Sequence, residues 1–217
     1  MTAAAYPPPL QREDDPAKIA ALIRTRPFAH FFTAHGGLRV TRIPFAADFE
    51  DGRLRRLRAH VHGRNQQVDG LDGASALVAF SGPDSYVSPN WRTAADRGAT
   101  WDYTAVHVWG RVTVRADRAF FDALIGDLAA AAEARHAGLS DKPQWSMANV
   151  TEDYVERLRP RLCAFEIDVR RVEAIAKLHQ NFPDADARSV AEHLARSDDE
   201  GGRAVAALMA ERFSSPA

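Results

Sequence analysis

From Phe28 to Asp117 apolar and polar residues alternate in short runs broken by turn residues, the period of half-buried β-strands. "FAHFFTA" runs into Gly36-Gly37, "LRVTRIPFAADF" runs into Asp51-Gly52, and "RLRRLRAHVHG" follows. Two hairpin signals in succession predict an antiparallel meander. "ASALVAFSG" reads as a further strand, and Pro83 and Pro89 are expected to force loop geometry around "SYVS". The longest strand candidate is "TWDYTAVHVWGRVTVRAD". Alternation puts Tyr103, Ala105, His107 and Trp109 on one face and Asp102, Thr104, Val106 and Val108 on the other, while Gly110 marks a bulge or a close backbone approach.

Helical spacing frames these strands. "DDPAKIAALIRTRPF" carries Asp15 as an N-cap, Pro16 at the first helical position, and Ile19, Leu22 and Ile23 on one face, so a short helix ends before Pro27. Residues 117–137 place Phe120, Phe121, Leu124, Ile125 and Leu128 on one stripe. "TEDYVERLRP" starts a second helix at Thr151, with Glu152 and Asp153 near its positive end. "LCAFEIDVRRVEAIAKL" returns to strand, and "DADARSVAEHLARS" and "GGRAVAALMAERF" close the chain as helices. "NQQVDGLDG" is too short and polar for a core element. The strands outnumber what one open sheet with a wet face needs, so the expected class is α+β, a closed or partly closed antiparallel barrel with peripheral helices.

At 217 residues, 46% hydrophobic, the chain is expected to form one domain over 1–217, with a helical C-terminal part near 184–213. Lys plus Arg is 28 against Asp plus Glu 29, so no global basic field favours nucleic acid as a partner. The single cysteine, Cys163, permits neither an internal disulfide nor a Cys-based zinc site. No stretch approaches a membrane span or a leader, which leads to the expectation of a cytoplasmic protein without membrane contact.

Residues 82–110 hold Trp91, Trp101 and Trp109, three of the four tryptophans, together with Tyr86, Tyr103 and His107. Aromatic surface interleaved with polar groups serves either as core or as the wall of a pocket for a flat ring. His60 and His62, two apart, share a strand face as two metal ligands can, but no third ligand is evident. P-loop, dinucleotide fingerprint and nucleophile motifs are absent.

The order of "PFAHFFTAHGGLRVTRIPF", "GRLRRLRAHVHGRNQQ", "FSGPDSYVSPNW", "TWDYTAVHVWG" and "AKLHQNFPDADARSVAEHL" resembles the PaiB-like proteins, described as FMN-binding negative transcriptional regulators. The likeness runs from about Pro27 to about Leu208. It implies a split barrel of the flavin-reductase and pyridoxamine-phosphate-oxidase type, a homodimer with two interface sites, FMN as cofactor, and a regulatory or reductase-like role. On this reading Trp101 with Tyr103 and His107 meets the ring. Phosphate donors come from Thr41 and Arg42, from Arg64 and Asn65 beside His60, and from Lys177, Gln180 and Asn181. Arg53, Arg55, Arg56 and Arg58 are read as solvated surface arginines.

Departures from the family pattern cluster in the same motifs. This chain has Arg42 where the family commonly has histidine, Arg92 for tyrosine, Asp102 for asparagine, and Phe182 for arginine or a small polar residue; His62 is extra. The segment "TWDYTAVHV" is also similar to a branch resembling piperazate synthase, which implies haem b as an alternative cofactor and closure of an N-N bond in an N-hydroxylated ornithine as an alternative activity. There Asp102 and His107 are catalytic candidates, although alternation puts them on opposite faces, and His60 or His62 is the axial candidate. A third alternative is a repressor that binds DNA directly.

Overall fold

A computed structural model of the chain describes residues 6–93 and 98–214, the side chains of Arg212 and Ser214 excepted. Its strands are β1 (Phe28–Thr33), β2 (Arg39–Pro44), β3 (Ala46–Glu50), β4 (Arg53–His62), β5 (Ser75–Val87), β6 (Thr100–Arg115) and β7 (Leu162–Lys177). Its helices are α1 (Pro16–Thr25), α2 (Arg118–Arg135), α3 (Glu152–Leu158), α4 (Asp184–Ala195) and α5 (Glu200–Ser214). The strands hydrogen-bond in the order β2-β1-β5-β6-β7-β4-β3. This is an α+β antiparallel split barrel with peripheral helices, the class expected from the strand pattern.

The cap predicted at Asp15 forms, and the structure adds caps at Asp117 and Thr151. Asp15 Oδ1 accepts from the Ala17 N–H at 2.8 Å, Asp117 Oδ1 from Phe120 at 2.9 Å, and Thr151 Oγ1 from Tyr154 at 3.3 Å. Asp51 and Gly52 both take positive φ, 50° and 75°, the backbone that a two-residue hairpin between β3 and β4 requires.

The chain forms two compact units, one of Met1–Leu22, Ser81–Val106 and Glu173–Ala217, the other of Ile23–Phe80 and His107–Val172. In the first, α4 and α5 bury Ala187, Val190, Leu194, Val205 and Met209 with Val87 of β5. Trp91 packs against this cluster and stacks on His193, centroids 5.3 Å apart. In the second, Phe121 and Leu124 of α2 pack with Val155 and Ala164. Phe31 stacks on Phe165 at 5.0 Å, with Phe45 edge-on to both. Gly110 is the close approach anticipated: a Cβ there would overlap the Asp168 carbonyl and the Ile167 side chain.

Three local expectations are corrected. β5 runs on through Pro83 to Val87 instead of giving way to a loop at Pro83. Its buried positions change from even at Ala76, Val78 and Phe80 to odd at Ser85 and Val87, so the proline sits where the pleat is interrupted and a missing N–H is tolerated. The polar "NQQVDGLDG" segment enters the core, burying Leu71 and Gln67; Gln67 Nε2 donates to the Phe31 carbonyl and Thr33 Oγ1 at 3.2 and 3.1 Å. Arg58 is not a solvated arginine. Its side chain is 13% exposed and bridges Asp48 and Asp127 at 2.7 and 2.8 Å. Burial pushes the Asp48 carboxyl up, but the hydrogen bonds and charges of Arg58 and Arg56 outweigh it and hold the group below its ordinary value.

Candidate functional site

In the first unit the start of β6 organises the polar groups. Alternation sends Asp102 and Thr104 inward with the core face, while Trp101 and Tyr103 point the other way. Trp101 is 55% exposed and lies edge-on to Tyr86, centroids 6.3 Å apart. Beside it is an open hollow of about 380 Å³ lined by residues that include Gly82, Asp84, Trp101 and Tyr103. Gly82 keeps close quarters there, because a Cβ would overlap Thr104 Oγ1. Lys177 Nζ donates to the Trp101 carbonyl at 2.5 Å and also to Thr100 Oγ1, so the ammonium anchors the strand that carries the indole. Gln180 is taken up by its own turn, donating to the Ala176 carbonyl and accepting from the Leu178 N–H. Asn181 is exposed.

The Tyr103 hydroxyl meets that of Tyr6 at 2.7 Å. Burial, then this hydrogen bond, pushes the Tyr103 phenol up to about 12. A raised phenol pKa stabilises the fold while the group is protonated, so this contribution is complete below the unfolded value near 10 and is lost as pH rises toward 12. An ultraviolet phenolate titration is expected to lose its highest-pH step in Tyr103→Phe; an unchanged curve would place that step elsewhere.

Asp102 is fully buried, and its partner is a residue the sequence reading passed over. His179, itself 1% exposed and at φ 62°, brings Nδ1 to within 2.5 Å of Asp102 Oδ2. Its ring stacks on Phe182 with centroids 4.3 Å apart, and the Arg92 guanidinium lies over the other ring of that pair, 4.8 Å from the Phe182 centroid. Arg92 Nη2 donates to the Gly98 carbonyl at 2.6 Å. Asp186, buried in the first turn of α4, accepts from the Thr93 N–H and hydroxyl at 2.9 and 2.7 Å. The Thr93 backbone N–H, then its hydroxyl, holds the Asp186 carboxyl below its ordinary value, helped by the charges of Arg92 and His179. Arg92, Asp102 and Phe182, three departures from the family pattern, thus belong with His179 to one packed cluster.

In the second unit β2, β4 and the turn after β4 gather the remaining candidates. Asn65 Nδ2 donates to Thr41 Oγ1 at 2.9 Å, while Asn65 Oδ1 caps the Gln67 N–H. Thr41 and Arg42 point to opposite faces of β2; the exposed Arg42 guanidinium rests 4.9 Å over the Phe28 ring. His60 and His62 share a face of β4, as the spacing predicts, His60 half-buried and His62 exposed. Burial lowers the His60 pKa, and among the described residues His60 Nδ1 has no hydrogen-bond partner. His107 is half-buried on the outward face of β6, edge-on to Trp109. Cys163 is half-buried and its thiol pKa is raised by desolvation, the behaviour of a packing residue.

A family described as "Putative FMN-binding domain" matches residues 5–171, and the chain belongs to it. An uncharacterized protein of Aspergillus fumigatus is 26% identical over 81% of this chain and 83% of its own length. The protease synthase and sporulation protein PAI 2 of Bacillus subtilis is 26% identical over 63% of each chain. Among solved structures, the FAD and haem binding protein from Mycobacterium smegmatis superposes with a TM-score of 0.52 at 15% identity, covering 81% of this chain and 78% of that one. The conserved protein Rv2991 from Mycobacterium tuberculosis gives 0.55 at 13% identity over 80% and 91%. At these identities the likeness is one of fold. Among the described residues no helix is long and apolar enough to cross a membrane.

Proposed function

We propose that the chain binds FMN as a homodimer and acts as a PaiB-like protein with a regulatory or reductase-like role. The observation that carries this reading is the bare indole of Trp101, a flat apolar plate 55% exposed beside Tyr103 and an open hollow, in a chain of an FMN-binding family. Such a plate meets the ring of a planar cofactor or the surface of a second copy. The cationic groups suit a phosphorylated ligand: Arg42 and Arg64 are exposed, and neither forms an ion pair among the described residues. Bound flavin would supply hydride and single-electron transfer. The residues of the first unit would hold its ring, Trp101 and Tyr103 against it, while Lys177 fixes the strand under the indole. Reconstitution with FMN, followed by flavin fluorescence, is expected to show binding that weakens about three- to tenfold in Trp101→Leu. Light scattering is expected to give twice the 23.9 kDa of one chain. No flavin uptake, or a clean monomer, would overturn the respective half of the reading.

A specific observation favours a second reading, haem b. His60 is half-buried, its imidazole is kept neutral by desolvation, and Nδ1 has no hydrogen-bond partner among the described residues. Neutral imidazole is the form that ligates iron. A Soret band on haem addition that vanishes in His60→Ala, without flavin uptake, would select this reading and with it a biosynthetic enzyme.

A further inference from the structure

The first half of α2 is anchored in the second unit by Phe121 and Leu124, which are buried with Val155 and Ala164. After Leu128 four alanines follow over 129–132, and their methyl groups are too short to fill the space beside residues 44–46, where β2 passes into β3. The result is a pocket of about 660 Å³, a volume suited to a small molecule, and all of its lining belongs to the second unit. Ile23 and Phe45, both buried, together with Leu128, Ala131 and Ala132 make its lining apolar.

The charged groups of the pocket fall at two levels of α2, marked by Asp127 and Arg135, about 12 Å apart along the helix axis. At the first level the charges are closed on one another. Arg58 bridges Asp48 and Asp127 at 2.7 and 2.8 Å, and Arg56 reaches Asp48 at 2.8 Å. At the second level Arg24, Arg135 and His136 line the pocket, and among the described residues none of the three forms an ion pair, whereas Arg58 forms two. Arg135 Nη2 donates to the Arg24 carbonyl, so the C-terminal ends of α1 and α2 meet here. Each helix end carries roughly half a negative charge, and two guanidiniums against that pair leave an excess of about one positive charge.

We propose that this pocket binds a small apolar monocarboxylate, with its carboxylate between the Arg24 and Arg135 guanidiniums and its hydrocarbon body against Ile23, Phe45 and the alanines of α2. One anionic head matches the excess of one positive charge, and the forked guanidinium donors match its two oxygens. The apolar lining favours burial of hydrocarbon and disfavours a second charge. None of these residues takes part in the flavin reading, and the inference stands apart from it.

Calorimetric titration of the full chain with octanoate is expected to show saturable binding at one site, about tenfold or more tighter than octanamide, which has the same body without the charge. Arg24→Gln removes a guanidinium but keeps the backbone carbonyl that Arg135 uses. It is expected to weaken octanoate about tenfold and to leave octanamide nearly unchanged. Ala131→Leu suits a helix and fills the pocket while both arginines stay, and it is expected to weaken both ligands about tenfold or more. FMN is expected not to displace octanoate. The proposal is overturned if octanoate does not saturate, if octanamide binds as tightly, if either variant binds octanoate as the parent does, or if FMN displaces octanoate and so takes the pocket itself.

Discussion

Replacing His179 with serine is expected to lower the unfolding free energy by about 3–5 kcal/mol, the usual cost of removing one partner from a buried pair. The Asp102 carboxylate is fully buried, its Oδ2 rests 2.5 Å from His179 Nδ1, and its Oδ1 has no partner among the described residues. Without the imidazole both oxygens would be desolvated and uncompensated. The pair itself need not stabilise the fold over an apolar substitute; breaking it is what is costly. Asp102→Asn keeps the shape and the amide can still bond to the ring, so a smaller loss is expected. The double variant Asp102→Asn/His179→Ser removes the stranded charge, and a double-mutant cycle by urea unfolding is expected to give a coupling of about 1–3 kcal/mol. Strictly additive losses would show that the two side chains do not act together.

How much of this was legible in the sequence divides along physical lines. Period and punctuation are local, so the long strand with its two faces, the cap at Asp15, the helices beginning near residues 117 and 151, and the hairpin at Asp51-Gly52 were all readable. Pro83 misled because a proline rules out regular pairing only, and β5 absorbs it where the pleat is interrupted. Gln67 and Leu71 misled because a polar segment can enter a core when its amide finds a carbonyl and a hydroxyl, here those of Phe31 and Thr33.

The candidate site was legible as motifs and not as contacts. Asp102 was recognised as unusual, but His179 lies 77 positions away and nothing local marks it as the partner. The available signal was the set of departures from the family pattern: Arg92, Asp102 and Phe182 read as separate changes and are in fact neighbours around His179.

Phe165→Ala is the second variant with a large expected effect, a loss of about 3–5 kcal/mol. Phe165 is completely buried on the core face of β7, stacked on Phe31 at 5.0 Å and touched edge-on by Phe45. Its cross-strand neighbour is Ala59, also fully buried, so the ring fills space that no side chain opposite it can reach. Truncation therefore leaves a cavity walled by strands whose backbone is fixed by the ladder, and it removes two aromatic contacts besides the transferred surface. Phe165→Leu fills most of that volume and is expected to lose less. A Phe165→Ala loss below about 1 kcal/mol in denaturant unfolding would mean that Phe31 and Phe45 repack into the vacated space and that the ring cluster does not hold this unit together.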